Sequence, residues 1–278
     1  MKLATVRLAT GTAAVRIDAS AAVETGHRDV GELLNQPDWH EAASAADGAR
    51  HDLEQLDFAP VVPVPSKIVC VGLNYRTHIL EMGRDVPEFP TLFAKYGDAL
   101  IGAQDDIALP RASAAVDWEA ELAVVIGAPA RHANRVEAQS AIGGYSVLND
   151  VTARDWQHRT LQWLQGKNFE ATTPLGPYLL TADAFDIGSA TIEGRVDDEV
   201  VQAAALTDLV FDPADLVAYI STIFTLRPGD VIATGTPGGV GHARDPKRYL
   251  SPGTTLATTI TGLGQCLNVC RPEVANGS

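Results

Sequence analysis

Three carboxylates in two neighbouring segments offer the clearest chemistry in this sequence. Glu119 and Glu121 stand two residues apart in DWEAELAVVIG, and Asp150 ends the next strand-like run, GYSVLND. Side chains alternate along a strand, so the two glutamates are expected on one face, where their like charges repel unless a cation separates them. If the second run lies beside the first, Asp150 supplies a third oxygen. Carboxylates without a nearby Cys or His pair favour a hard ion, Mg²⁺ or Mn²⁺, with Ca²⁺ as a further option.

The same acids also fit a simpler interpretation, in which they lie on an exposed strand edge. Glu-x-Glu pairs are common on solvated faces. Asp117 adds a fourth acid two residues before Glu119. Strand alternation places Asp117 on the same face as Glu119, so the spacing alone does not exclude it as a ligand.

Two further segments carry groups that can act on a substrate. His78 and Glu81 stand three residues apart in the helix-like run THILEMG, so they share a face and the carboxylate can orient the imidazole as a general base. Lys167 follows a glycine in GKNF, where an ammonium group can neutralise an anionic substrate or a developing enolate. The alternatives are a surface ion pair for the first two residues and a solvated side chain for the lysine.

A glycine-rich loop, TGTPGGVG at residues 234–241, contains four glycines and two threonines. Such a loop can point backbone N–H groups at a carboxylate. It is not a phosphate loop, because no Lys-Ser or Lys-Thr pair follows it, and its alternative is a connection made of turns. Gln157 follows Asp150 on the same stretch of chain and can face the same site.

A proline-rich segment divides the chain into two parts, and the elements of these parts must position the groups described above. Residues 1–60 begin with two alternating runs typical of a hairpin, and we expect them to form a small N-terminal α/β domain. Pro60, Pro63 and Pro65 favour an extended linker. Residues 66–271 contain many strand-like runs bounded by Gly, Pro, Asp or Asn and few helix-like ones, which predicts a β-rich α+β domain.

The composition narrows the classes of partner. The chain has 278 residues, of which 21 are Lys or Arg and 35 are Asp or Glu, a formal net charge of −14. A field of this sign repels phosphate backbones, so we expect no nucleic-acid or membrane partner, whereas a small anionic substrate can bind beside a local lysine or metal ion. No run approaches the ~20 apolar residues of a membrane helix, and charges interrupt the N-terminal segment. With only three cysteines, the chain is predicted to be cytoplasmic.

Taken in order, these segments resemble the fumarylacetoacetate hydrolase family. The resemblance is carried by GLNY-x-x-H-x-x-E-x-G, DWEAELAVVIG, NDVTARDWQ, GKNFE and the run at residues 228–241, and it extends over residues 66–271. It implies a mixed β-sandwich roll of the type found in that family's C-terminal domain, preceded by a small N-terminal domain. It also implies a homodimer.

The resemblance assigns roles to the residues singled out above. It implies a divalent metal on Glu119, Glu121 and Asp150. The residues that it places near the substrate or on a mobile lid are Lys167, Gln157, Gly235 with Thr236, and the pair His78 and Glu81. In this pattern the backbone of Gly235 and the side chain of Thr236 hold a substrate carboxylate, and the lid pair acts as the base.

The implied substrates are small anionic 2-oxo acids with a second carbonyl or acid group. The leading prediction is metal-dependent hydrolysis of a C–C bond in an acylpyruvate, such as fumarylpyruvate or maleylpyruvate, in the breakdown of aromatic compounds. Decarboxylation or isomerisation of oxaloacetate or a longer oxo-dioate is the alternative, because it passes through the same enolate. A binding protein without catalysis is a third option, which the presence of both the lysine and the lid pair disfavours.

Overall fold

The structure is a computed structural model that describes residues 1–81, 83 and 85–274, with only the backbone described at residues 78 and 81. The strands are β1 (Lys2–Leu8), β2 (Gly11–Ile17), β3 (Ala22–Glu24), β4 (Arg50–His51), β5 (Asp57–Phe58), β6 (Ile68–Gly72), β7 (Thr91–Lys95), β8 (Leu100–Ile101), β9 (Ile107–Leu109), β10 (Val116–Asp117), β11 (Ala120–Ile126), β12 (Ile142–Asn149), β13 (Thr152–Ala153), β14 (Thr173–Thr181), β15 (Thr191–Val196), β16 (Glu199–Ala205), β17 (Val231–Ala233), β18 (Thr255–Ile260) and β19 (Gly264–Pro272). The helices are α1 (Val30–Leu34), α2 (Trp39–Ser44), α3 (Arg76–Glu81), α4 (Arg135–Ala141), α5 (Arg154–Gln157), α6 (Leu164–Lys167) and α7 (Pro213–Ile223).

Twelve of these strands form one mixed sheet. Its order is β4-β3-β2-β1-β14-β12-β11-β17-β6-β7, with β5 paired to β1 and β8 paired to β14. Five other strands form a second sheet in the order β16-β15-β18-β19-β9. Both sheets contain parallel and antiparallel neighbours, since β17 runs parallel to β6 and β19 runs parallel to β9. The β-rich α+β class predicted from the sequence is confirmed.

The two sheets pack against each other around a shared apolar core. Leu122 and Val124 of β11 belong to the same buried cluster as Ile192 of β15 and Ile260 of β18. Each of these side chains is almost fully buried, and such burial contributes about 1.5–3 kcal/mol per side chain. This core holds the two sheets together as the predicted mixed β-sandwich.

Strand β11 brings the acidic segments together. All of its residues are buried, because β12 and β17 flank it within the sheet and an apolar cluster covers each face, with Leu122 in one cluster and Ala123 in the other. Ala120 pairs with Asn149 across the strands, and the backbone N–H of Asp150 donates to the carbonyl of Glu119 over 2.8 Å. The expectation that the run ending at Asp150 lies beside the first acidic segment is confirmed.

The acidic segment is not one continuous strand. β10 ends at Asp117 and pairs with β13, whereas β11 begins at Ala120 and pairs with β12. Between them, the backbone N–H of Glu119 donates to the side-chain oxygen of Asn149 over 2.9 Å, so a side chain takes the place of a strand partner. The alternation that groups Asp117 with Glu119 in the sequence therefore does not apply across this break.

The N-terminal segment extends the main sheet. Its predicted hairpin is formed by β1 and β2, and β1 also pairs with β14. Leu33 of α1 belongs to the buried cluster that contains Val125 of β11. In the proline-rich segment, the backbone N–H of Val61 donates to the carbonyl of Leu175 over 3.1 Å. The division of the chain into domains at residues 1–60 and 66–271 stays a prediction.

Two further features concern the chain's environment. In the described ranges, no helix has the length and the apolar character needed to cross a membrane. Cys70, Cys266 and Cys270 are free and buried. Burial raises the pKa of each thiol, so these cysteines are inert core groups and not nucleophiles.

Candidate active site

The structure brings the three predicted acids into one buried cluster. Glu119, Glu121 and Asp150 each offer a carboxylate oxygen, and these oxygens lie within 4.8 Å of one another. All three side chains are buried, at 7%, 1% and 0% exposure. Acids on an exposed strand edge would be solvated, so that simpler interpretation does not describe this cluster.

The electrostatics of Glu121 show that a bound cation would stabilise the charged form of this cluster. Burial, followed by the charges of Asp150 and Glu119, raises the pKa of Glu121 well above its usual range. Its Oε2 accepts a hydrogen bond from the backbone N–H of Gly235 over 2.7 Å. Asp150 Oδ1 is buried and accepts no hydrogen bond of good geometry. These hard oxygen donors fit a divalent metal ion, which would stabilise the charged forms.

Lys167 completes the cluster from the end of α6. Its Nζ lies 2.6 Å from Glu119 Oε2 and 2.8 Å from Asp150 Oδ2, and the side chain is 2% exposed. Burial lowers the pKa of Lys167, but the charges of Asp150 and Glu119 outweigh burial and raise it overall. The residue is therefore a fixed ammonium group and not a general base. A solvated lysine, the alternative reading of its position in the sequence, is excluded by this burial.

The glycine before Lys167 has a packing reason. A Cβ on Gly166 would lie 2.5 Å from the backbone N of Gln157 and 2.6 Å from the carbonyl of Ala153. Only glycine lets α6 approach α5 and β13 this closely, because real Cβ atoms do not tolerate such distances. The Gly-Lys pair thus sets the depth at which the ammonium group enters the cluster.

Lys95 is a second buried lysine that the sequence reasoning missed. Its Nζ lies 2.9 Å from Asp150 Oδ1 and donates to Thr173 Oγ1 over 2.8 Å and to the backbone carbonyl of Lys167. The side chain has no exposed surface. In the sequence, the only feature that points to Lys95 is its position at the end of the largely apolar run TLFAK. Lys95 therefore supports both Asp150 and the backbone that carries Lys167.

Replacing Lys95 by methionine is expected to lower the free energy of unfolding by about 3 kcal/mol, because it removes one of the two buried ammonium groups that neutralise Asp150 and leaves excess negative charge in the cluster. Urea unfolding of the metal-free protein measures this change. Lys2→Met is a matched control, since Lys2 lies in β1 and contacts the ring of Tyr178. A Lys95→Met variant as stable as the wild type would contradict the pairing with Asp150.

Asp117, left open as a fourth ligand, has another role. Its Oδ1 accepts backbone hydrogen bonds from Trp118 and Gly241, and its Oδ2 accepts from the backbone of His242 and from Arg154 Nε. The four distances are 2.7–2.9 Å. With both oxygens occupied, Asp117 anchors the end of the glycine-rich loop beside the acid cluster.

Arg154 links Asp117 to the acid cluster. Its Nη1 lies 2.7 Å from Glu119 Oε1 and donates to Gln157 Oε1 over 2.9 Å. Gln157 therefore lies at the site with its amide group oriented by Arg154, and its role near a substrate stays a prediction. Four buried carboxylates and three buried cations meet here, and their formal charge of −1 becomes +1 with a divalent ion. A positive pocket suits an anionic substrate.

The glycine-rich loop reaches the site, but its predicted groups also bond within the protein. Gly235 has a φ of +95°, and a Cβ there would lie 3.0 Å from Val71 O, so glycine is required. Its N–H donates to Glu121, as described above. Thr236 Oγ1 donates to the carbonyl of Ala120 over 2.9 Å and accepts from Gln202 Nε2 over 2.8 Å. A role for Gly235 and Thr236 in holding a substrate carboxylate stays a prediction.

The predicted lid pair lies on α3. The backbone of this helix spans Arg76–Glu81, and the N–H of Gly83 donates to the carbonyl of Leu80 over 2.9 Å. The side chains of His78 and Glu81 lie outside the described residues. Their role as a general base therefore stays a prediction.

A cavity of about 270 Å³ opens onto the acid cluster. Its walls combine apolar side chains with the charged groups already described. Phe93 and Trp163 lie on the apolar side, and the Lys167 ammonium is 5.0 Å from the centre of the Phe93 ring. His158 and His242, which the sequence reasoning did not single out, also line it. The cavity has room for a small molecule beside Lys167 and the acids.

Relatives with the same architecture are known. The chain is 43% identical over 217 residues to the human protein named oxaloacetate tautomerase FAHD2A, mitochondrial, a match that covers 77% of this chain and 69% of the human protein. The solved fumarylacetoacetate hydrolase of Exiguobacterium antarcticum is 30% identical, with a TM-score of 0.88 over 98% of this chain and 100% of that one. The 5-carboxymethyl-2-hydroxymuconate delta-isomerase of Mycobacterium smegmatis is 31% identical, with a TM-score of 0.83 over 99% and 100%.

The family assignment follows from the sequence match and the shared fold. The family model described as fumarylacetoacetate (FAA) hydrolase C-terminal matches residues 67–271, which contain all the site residues described above. The resemblance stated from the motifs is therefore confirmed. The chain belongs to the fumarylacetoacetate hydrolase family.

Proposed function

We propose that this protein is a metal-dependent enzyme that interconverts the keto and enol forms of a dicarboxylic 2-oxo acid, as a tautomerase or isomerase. The observation that carries this proposal is the position of Lys167, whose ammonium group lies 2.6 Å from Glu119 and 2.8 Å from Asp150. A fixed positive charge beside a set of metal-binding acids suits a reaction in which negative charge develops on a 2-oxo oxygen. The names of the human and mycobacterial relatives support the same choice.

The chemistry requires one proton to leave the carbon next to the 2-oxo group and another to reach the oxygen. Glu119, Glu121 and Asp150 would hold a divalent ion, and Mg²⁺ or Mn²⁺ would act there as a Lewis acid on the 2-oxo acid. Lys167 would stabilise the enolate oxygen, and Gln157, oriented by Arg154, would position the substrate. In this proposal the His78–Glu81 pair carries the proton. The reaction consumes no water.

A second candidate is hydrolysis of an acylpyruvate in the breakdown of aromatic compounds. The structural similarity to a fumarylacetoacetate hydrolase favours it. Here a hydroxide equivalent attacks the distal carbonyl, the C–C bond breaks, and its electron pair leaves as the enolate of pyruvate. Lys167 would stabilise this enolate too, but the reaction needs a base, for which His78 with Glu81 is the candidate, to activate water.

A small panel of substrates separates the two candidates. With Mg²⁺ or Mn²⁺ present, we expect the wild type to accelerate the keto–enol exchange of oxaloacetate, followed by the ultraviolet absorbance of the enol, and to cleave fumarylpyruvate slowly. Formation of pyruvate from oxaloacetate reports decarboxylation as a separate activity. Fast cleavage of fumarylpyruvate, with a His78→Ala variant about 10² to 10⁴ slower, would replace the tautomerase proposal by the hydrolase.

A further inference from the structure

Two histidines outside the predicted set form one wall of the active-site cavity. His158 immediately follows α5, and His242 lies in a short 3₁₀ turn, Gly241–Ala243. Both line the cavity that also exposes Glu119 and Lys167. Their ring centroids are 5.2 Å apart, with an angle of 35° between the ring planes. The fold thus places two imidazoles side by side in the cavity that Glu119 and Glu121 also line.

These two rings are held on a common support. Asp117 accepts hydrogen bonds from the backbone N–H of His242 and from Arg154, which lies one helical turn before His158. The backbone N–H of His158 donates to the carbonyl of Arg154 over 3.2 Å. Tyr249 Oη lies 2.9 Å from His242 Nδ1 and orients that ring. The His242 ring, which is fixed in this way, loses little conformational freedom when it binds a ligand.

Two cations lie near the pair, together with the buried carboxylate of Asp117, which accepts from the backbone N–H of His242. Lys247 Nζ lies 3.5 Å from His242 Nε2, and Arg154 is the nearby buried cation. Within the described part of the chain, no carboxylate lies within salt-bridge distance of either imidazole, in contrast to His51, which pairs with Glu24 Oε1 at 2.7 Å. Partial burial, with the charges of these cations, lowers the pKa of both rings. A bound carboxylate would accept hydrogen bonds from His158 and the Lys247 ammonium group, and from His242 Nε2 once Lys247 turns from that nitrogen to the ligand and Nδ1 accepts from Tyr249 Oη.

We infer that His158 and His242, with Lys247, bind the distal carboxylate of a dicarboxylic 2-oxo acid. This inference rests on the proposed function, since it assumes that the 2-oxo-carboxylate end of the ligand lies at Lys167 and the acid cluster. A ligand with a neutral far end offers no charged acceptor to His158 and Lys247. The histidine pair therefore selects diacids over 2-oxo acids that carry a single carboxylate.

Equilibrium binding tests this selection without turnover. The probes are 2-oxoglutarate, a diacid, and 2-oxobutyrate, which keeps the 2-oxo acid end but lacks the second carboxylate. Calorimetry in Mg²⁺ compares the wild type with His158→Phe and His242→Phe, which keep a flat ring of similar size. His40→Phe is the matched control, because His40 is an exposed residue of α2. Thermal unfolding confirms that each variant is folded.

The wild type is expected to bind the diacid at least about tenfold more tightly than the monoacid, the scale of a hydrogen bond to a charged group. In each cavity variant the Kd of 2-oxoglutarate should rise and the Kd of 2-oxobutyrate should stay unchanged, so that most of the preference for the diacid is lost. The His40→Phe control should bind both ligands as the wild type does. A ratio near one in the wild type, or an equal loss for both ligands in the variants, overturns the inference.

Steady-state kinetics on the same variants distinguish a failure of this inference from a failure of the proposed function. In the His158 and His242 variants, the KM for oxaloacetate should rise about tenfold while kcat stays within a few-fold of wild type. If the wild type turns over no 2-oxo acid but shows the diacid preference and loses it in the variants, the proposed function fails alone. If it turns over oxaloacetate without any preference for diacids, the histidine inference fails alone.

Discussion

Replacement of Lys167 by methionine is expected to reduce turnover of every 2-oxo acid by more than about 10², the scale seen when one stabiliser of a developing oxyanion is removed. The side chain is buried, and its ammonium group lies between Glu119 and Asp150. Tautomerisation, decarboxylation and hydrolysis all pass through an enolate, so the loss should not depend on which reaction is assayed. Methionine keeps the length of the side chain and removes its charge.

A direct effect of Lys167→Met on catalysis has to be distinguished from a loss of folding. Lys167 is paired with two buried acids, so the variant is also expected to be less stable, and urea unfolding measures by how much. Assays are therefore made at a temperature where the folded fraction is equal to that of the wild type. Lys2→Met, far along the main sheet in β1, serves as the matched control. A folded Lys167→Met variant with activity within a few-fold of wild type would show that the enolate charge is stabilised elsewhere.

Removal of divalent ions with a chelator is expected to abolish turnover, and addition of Mg²⁺ or Mn²⁺ should restore it. The clustered oxygens of Glu119, Glu121 and Asp150 fit such an ion, and each Ala variant should lose most of the activity while still folding. Calorimetric titration with Mg²⁺ gives a measurement that does not depend on turnover. Full activity in a metal-stripped sample would contradict the metal requirement.

A pH series on the metal-free protein tests the same cluster through stability. Burial and the neighbouring charges raise the pKa of Glu121, so the folded state holds a proton that the unfolded state releases near its usual pKa of about 4.3. The free energy of unfolding should therefore contain a contribution that is lost as pH rises from about 4.3 through the raised pKa. Glu121→Gln should lack this loss.

The control for this series is Glu54→Gln, because Glu54 is exposed in the N-terminal segment. The pH profile of Glu121→Gln is subtracted from that of the wild type, so that the contributions of the other acids in the cluster cancel. Bound Mg²⁺ is expected to remove the difference in slope by favouring the charged carboxylate. Identical pH profiles for wild type and Glu121→Gln without metal would mean that Glu121 titrates as an exposed acid.

Local spacing made the three acids a candidate cluster, and the family resemblance favoured that cluster over an exposed strand edge. Asp150 immediately follows β12, the strand after the Glu-x-Glu segment, and strands adjacent in sequence tend to pair, so short-range order brought these residues together. The β-rich class also followed from local runs, because strand length and bounding turn residues depend on nearby sequence. The Gly-Lys pair at the end of α6 indicated a lysine at the site, although only packing showed why the glycine precedes it.

The tertiary structure alone decided which distant groups meet these acids. Lys95 reaches Asp150 from the edge strand β7, and Asp117 bonds to the backbone at Gly241, contacts that depend on how whole strands pack. Asp117 also shows a limit of periodicity, because the break between β10 and β11 cancels the alternation that had grouped it with Glu119.

Tertiary packing also decided where the histidine pair and the N-terminal strands lie. Nothing near His158 in the sequence indicates that its ring lies beside that of His242, because the contact depends on the anchoring of two segments by one buried carboxylate. The continuation of the main sheet from β14 into β1 likewise depends on edge pairing between distant segments. By itself the sequence determined which groups can do chemistry, because residue type and short-range period are local properties. Packing between distant segments decided which of those groups share a site.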